Sequence, residues 1–226
     1  MEDRCRQVGR HTGRSISLAL LLALPVSTAT EDQAQAYSRL PAPPPGLDDG
    51  DLVFRTGVDA IGRMVLSYGD RPRFSHVGMV IRVDGEALVV HALPEAGGNA
   101  GGVQVDRLGT FSSPLRAADV GYYRIAQLTQ GQRREIHRYL LEAVGTPFDL
   151  RFEYSTDDSM YCTELVLKAL NEVGVELAPS LGTVRVITVD EPAFPPDALR
   201  QSGQLKELSA TTEQTEGVAV SAAERS

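Results

Sequence analysis

The sequence predicts an α+β fold built on an antiparallel sheet, and three observations carry that prediction. The run from His76 to Leu93 is rich in β-branched residues and is broken once, at Asp84-Gly85, a dipeptide that closes tight hairpins. Two further β-rich runs, "GGVQVDRL" and "DVGYYRI", follow it without an intervening helix. Apolar residues at helical spacing recur before the hairpin and again after the last β-run. Strands grouped together, with helices at either end, give an antiparallel sheet rather than a parallel one.

The chain of 226 residues is long enough for one substantial domain. Its formal charge of −8 argues against nucleic acid and anionic membrane surfaces as partners. Arg4, Arg6, Arg10 and Arg14 precede the apolar run "ISLALLLALPV" and the small residues "STAT", the order of a secretory leader over residues 1–29. Ala29 or Ala36 would be the cleavage point. The run is shorter than the roughly 20 residues a membrane span needs, so no stable membrane insertion is expected after cleavage. The mature protein would be exported, to a periplasm or the extracellular space. Residues 30–49 read as a proline-rich linker, 50–208 as the folded domain and 209–226 as a disordered tail.

Within the domain, "DLVFRT" reads as a short strand. Ile61, Met64, Val65 and Tyr68 mark a modest helix. In "TQGQRREIHRYLLEAVG", Ile136, Tyr139, Leu140 and Ala143 share a helical face. Thr129 with Gln132 forms a capping box ahead of it, and Gly145 stops it. His137, on that helix, reads as a surface histidine. A last helix carries Leu165, Val166, Ala169, Leu170 and Val173 on one face and ends at Gly174.

Cys162 opens this last helix, and Ser159 is a plausible N-cap. Loss of the leader would remove Cys5 and leave Cys162 as the only cysteine, so no intramolecular disulfide could form. A thiol in the first helical turn meets unpaired N–H groups and the positive end of the dipole, which favour thiolate. A buried, inert cysteine is the alternative.

The hairpin register supplies the base that a nucleophilic thiol needs. A two-residue Asp84-Gly85 turn sets Val83 opposite Glu86, Gly78 opposite His91 and His76 opposite Leu93. Val77, Met79, Ile81, Leu88, Val90 and Ala92 then form an apolar face toward the core. His76 and His91 share the other face as diagonal neighbours, roughly 7–8 Å apart along the backbone. Such a pair suits a base oriented by a second polar group, or, with Cys162, a zinc site.

At these residues the chain resembles the circularly permuted papain-like hydrolases of the YiiX/YaeF type. They are relatives of the NlpC-type cell-wall cysteine peptidases and of the lecithin–retinol acyltransferase group. The matching segments are "GDLVFRTG", "FSHVGMVI", "VVHALPEAGG", "GTPFDLRF" and "YCTELVLKAL", in that order, with Phe148 where a tyrosine is common. The resemblance implies a permuted papain-like fold: a central antiparallel, barrel-like sheet with the catalytic-cysteine helix packed against it. It implies Cys162 as nucleophile, His76 as general base and His91 as the residue that orients the base. Glu95, of the same strand parity but beyond Pro94, competes with His91. Tyr161 and Cys162 would offer backbone N–H groups to an oxyanion. The expected activity is an exported cysteine hydrolase that opens an amide or ester through a thioester, with no cofactor and no metal. Its substrate would be a peptidoglycan peptide or an acylated small molecule or lipid. A non-catalytic ligand-binding module and a His/Cys zinc protein are the alternatives. The glycine-rich "EAGGNAGG" would form a substrate-facing loop.

Overall fold

The computed structural model describes residues 40–68, 72–96, 100–177, 181–185 and 192–210. The predicted leader, the first half of the linker, the tail from 211 onward and the centre of the glycine-rich loop lie outside them.

Six strands form one antiparallel sheet in the order β4-β3-β2-β1-β5-β6. They are β1 (Leu52–Gly57), β2 (His76–Val83), β3 (Glu86–Leu93), β4 (Gly102–Arg107), β5 (Ala117–Ile125) and β6 (Leu205–Leu208). The helices are α1 (Ala60–Val65), α2 (Leu108–Phe111), α3 (Gln130–Ala143), α4 (Cys162–Asn171) and α5 (Pro196–Gln201). The sheet is open, with β4 and β6 as its edges, and so corrects the barrel-like expectation.

Local sequence accounts for most of these elements. The hairpin turns at Asp84 and Gly85, both at positive φ (49° and 82°), as a two-residue turn between twisted strands requires. Its register is the expected one, Val83 with Glu86 through Met79 with Val90. Helix α3 begins at the Thr129 capping box, where Gln132 N–H donates to Thr129 Oγ1 (3.2 Å) and Thr129 N–H to Gln132 Oε1 (2.9 Å). Gly145 at φ 93° follows its end.

The main core lies on one face of the sheet. Leu52, Phe54, Val77, Met79, Ile81 and Val90 meet Ile136 and Leu140 of α3 and Leu165, Val166, Ala169 and Leu170 of α4. All are fully buried, and each large side chain contributes about 1.5–3 kcal/mol on burial. Leu165→Ala alone should cost about 2–5 kcal/mol. Helix α4 buries more than its predicted stripe: Leu167, Thr163 and Glu164 are also inaccessible.

The opposite face carries a second, smaller core of Leu47, Val53, Val80, Val89, Leu108, Phe111, Val120 and Tyr122. The face that carries the two histidines is therefore packed as well. Helix α2, four residues long and without a sequence signal of its own, drops Phe111 onto that face. Leu47 is buried there and Gly46 accepts a hydrogen bond from Arg124, so the last residues of the predicted linker pack against the domain.

Candidate active site

The site forms where β2 and β3 part. Their ladder ends at the Met79–Val90 pair, one step short of bringing His91 against Gly78. A side chain at Gly78 would place its Cβ 3.1 Å from the Cβ of His91 and 2.4 Å from a Val89 methyl, so only glycine leaves both in place. His76 begins β2, and its entry is fixed from outside the hairpin. The buried carboxylate of Asp197, in α5, accepts the amide N–H of Phe74 (3.2 Å) and that of Arg73. Ser75 Oγ accepts from Gly57 N–H of β1 (2.8 Å).

The structure brings His76 and His91 together. His76 Nε2 lies 2.9 Å from His91 Nδ1, and His91 Nε2 lies 3.2 Å from Asp106 Oδ2 on β4. Asp106 Oδ2 also accepts from Arg116 Nη1 at 2.7 Å. Both rings pack on Phe111: His76 is stacked at 5.5 Å between centroids and 29°, and His91 meets its edge at 5.0 Å and 86°. Arg55, the cross-strand partner of His76, covers the same ring with its Cζ 4.6 Å from the centroid. Its Nη1 donates to Phe111 O (3.1 Å), while its Nε is buried without a hydrogen-bond partner.

Burial sets the charges here. It holds the His76 imidazole well below its ordinary value, with the Arg55 cation and His91 adding to the effect. Burial lowers His91 as well, although Asp106 pulls the other way. The hydrogen bond from His91 holds the Asp106 carboxyl below its usual range, with Arg116 assisting. Desolvation also pulls the Arg55 guanidinium down to about 10, helped by the nearby Arg116 cation.

Cys162 is the first residue of α4, and its N-cap is Tyr161 in extended backbone, not Ser159. The preceding loop is wound tight by Asp149, whose carboxylate accepts the amides of Arg151 (2.7 Å) and Glu153 (2.6 Å). Met160 N–H donates to Pro147 O (2.9 Å), which delivers Tyr161 and Cys162 to the sheet. The amide of Val77, next to His76 and just past the end of the β2–β3 ladder, acts on the sulfur in the direction that favours thiolate. The amide of Thr163 acts in the same direction, and the Thr163 hydroxyl lies 4.0 Å from the sulfur. Among the described residues, no hydrogen bond joins the sulfur to either imidazole. The thiol and the rings approach the start of β2 from opposite faces of the sheet.

The helix end does not win the contest over the thiol. Burial pushes Cys162 above its ordinary value despite the Val77 and Thr163 donors and the Arg55 charge, so the resting group is a thiol. Two supporting residues are also placed differently from expectation. The Tyr161 amide donates to Glu164 Oε2 (3.1 Å), which removes it from the helix-end donors open to an oxyanion. Glu95 is exposed beyond the end of β3, and the group that engages the outer nitrogen of His91 is Asp106. His137 is half-buried, with Nδ1 3.0 Å from Asp49 Oδ1.

A small pocket of about 40 Å³ opens at Cys162. Met64, Val65, Phe152, Tyr161, Phe194 and Pro195 make its wall almost wholly apolar. A larger groove beside α2, lined by Glu86, Arg107, Thr110 and Arg116, does not reach the thiol. Among the described residues, no group of three or more His, Cys, Asp or Glu side chains could hold a metal ion.

This fold and arrangement define the permuted papain-like class, in which the histidine strand precedes the cysteine helix. The chain belongs to the permuted papain-like amidase family YaeF/YiiX, C92, whose model matches residues 46–212. The fold is similar to that of the metalloprotein yiiX from Escherichia coli O157:H7, with a TM-score of 0.58 and 19% identity over 72% of this chain and 96% of that one. No curated protein sequence matches the chain.

Proposed function

We propose that the protein is an exported cysteine hydrolase that opens an amide or ester carrying an apolar acyl group. The observation that carries this reading is the coupled imidazole pair at the start of β2, the strand whose other face packs against the helix that carries the thiol. His76 Nε2 is engaged by His91, so Nδ1 is the nitrogen left to take the thiol proton. The sulfur attacks the carbonyl carbon, and the oxyanion is held by the amide of Cys162 itself at the helix end. The tetrahedral adduct collapses as the imidazolium gives its proton to the leaving amine or alcohol, and a thioester remains. Water, losing a proton to His76, then hydrolyses the thioester and the thiol is restored. Thiol and base are both neutral at rest, so proton transfer accompanies attack instead of preceding it.

The apolar wall beside Cys162 favours an acylated small molecule or lipid over a peptidoglycan peptide, whose polar groups would lose water there without partners. Export rests on the basic-then-apolar leader over residues 1–29. The test is intact-mass spectrometry after incubation with N-acyl amino acids, acyl esters or a peptidoglycan digest. An acyl mass on wild type and none on Cys162→Ala supports the reading. Adducts from the digest alone would overturn the acyl preference, and adducts that persist in Cys162→Ala would overturn the nucleophile.

A further inference from the structure

His91 does not end the polar chain that begins at His76. Its outer nitrogen reaches Asp106, and Asp106 is itself clamped by Arg116. The β3–β4 register sets Asp106 opposite Val89 and Gln104 opposite His91, so Asp106 is the diagonal neighbour of His91 on the same sheet face. We infer that Asp106 is a positioning residue that fixes the tautomers of both imidazoles and thereby leaves His76 Nδ1 as the proton acceptor.

The reasoning follows the donors and acceptors along the chain. A carboxylate only accepts hydrogen bonds, and Arg116 only donates them. The nitrogen of His91 that faces Asp106 must therefore carry the hydrogen. A neutral His91 then has a bare Nδ1, which can only accept. His76 must supply the hydrogen for that contact from its Nε2, and a neutral His76 is left with a lone pair on Nδ1. Each ring is committed by the one outside it, and the carboxylate is the only group in the series with no second form available. His91 is fully buried, so water does not replace the carboxylate as its acceptor. Arg116 fixes the carboxylate in place, and the His91 hydrogen bond, with Arg116 assisting, favours its ionised form.

Replacing the carboxylate by an apolar group reverses the series. His91 would carry its hydrogen on Nδ1, His76 would accept at Nε2, and the Nδ1 of His76 would be blocked by its own hydrogen. This inference rests on the proposed hydrolase for its consequence in catalysis, but its first readout does not.

The experiment is ¹⁵N NMR of histidine-labelled full-length protein near pH 8, reading the tautomer of each ring from its long-range couplings. Wild type is expected to show Nε2–H for both His76 and His91. Asp106→Leu is expected to show Nδ1–H for both while the remaining spectrum stays folded. Asp106→Asn, which keeps an acceptor oxygen, is expected to retain the wild-type pattern. A wild-type His91 carrying Nδ1–H overturns the inference without any variant. A folded Asp106→Leu with unchanged tautomers overturns it too. Once a substrate is in hand, Asp106→Leu should lose kcat by roughly 10²–10⁴-fold with KM little changed, and Asp106→Asn should recover most of it. Failure to find a turned-over substrate would count against the hydrolase and leave the NMR result standing.

Discussion

Phe111 is the ring on which the polar residues of the site rest, and Phe111→Leu isolates that role. Leucine keeps an apolar side chain in the second core but removes the π-face. Three contacts are lost: the stacked His76, the edge-on His91 and the Arg55 cation at 4.6 Å. Taking about 0.5 kcal/mol for each imidazole contact and about 1–2 kcal/mol for a desolvated cation over a ring gives about 2–3 kcal/mol. That is roughly 30–150-fold in the unfolding equilibrium, since each 1.4 kcal/mol is about tenfold. Urea unfolding should show a lowered midpoint with an unchanged slope. Hydrolysis should fall further than stability, because the His76 plane is set by that stack. A variant within about 0.5 kcal/mol of wild type and fully active would refute the reasoning, since that is the range of substitutions that touch nothing.

Three further outcomes follow from the charges. Iodoacetamide should alkylate Cys162 more slowly than a free thiol at pH 7, because burial raises the thiol; faster labelling than free cysteine at neutral pH would contradict this. His76 and His91 are held below their ordinary value of 6.5, so they stay neutral in the folded chain while their unfolded counterparts take up protons. Their stabilisation is therefore complete above about pH 6.5 and is lost as the pH falls toward the folded values; a melting temperature flat from pH 7 to pH 5 would contradict it. Arg55→Met removes a buried cation whose Nε has no partner, so stability should hold or rise. The same change should move the acid limb of hydrolysis to higher pH, because Arg55 repels a protonated His76; an unmoved limb would sink that role.

Much of this was legible in the sequence, because the signals were local. Asp84-Gly85 fixed the hairpin register, which in turn predicted the two imidazoles on one face. Thr129 and Gln132 marked the start of α3. The stripe from Leu165 to Leu170 marked the helix that carries the cysteine. What the sequence did not disclose depends on elements far apart along the chain. Asp106 and Arg116 reach His91 only through the β3–β4 register and the turn before β5. Phe111 comes from a helix of four residues with no capping side chain. Arg55 left a faint trace, a lone charge in the apolar run "LVFRT". The N-cap was misplaced because the cap of α4 runs backwards: Glu164 reaches to the Tyr161 amide, with no hydroxyl residue to announce it. The thiolate expectation weighed the helix end and could not weigh the burial that outweighs it.

The order of these parts along the chain sets when the site can assemble. Both imidazoles, their carboxylate and the arginine leave the ribosome first, and the sulfur emerges only when the last quarter or so of the chain is being made. A polypeptide that stops short of Cys162 also lacks the α4 residues of the main core and Asp197, which fixes the entry to His76, so its imidazoles are not yet held in place. Imidazoles and thiol therefore take their places together, when the closing segment folds back.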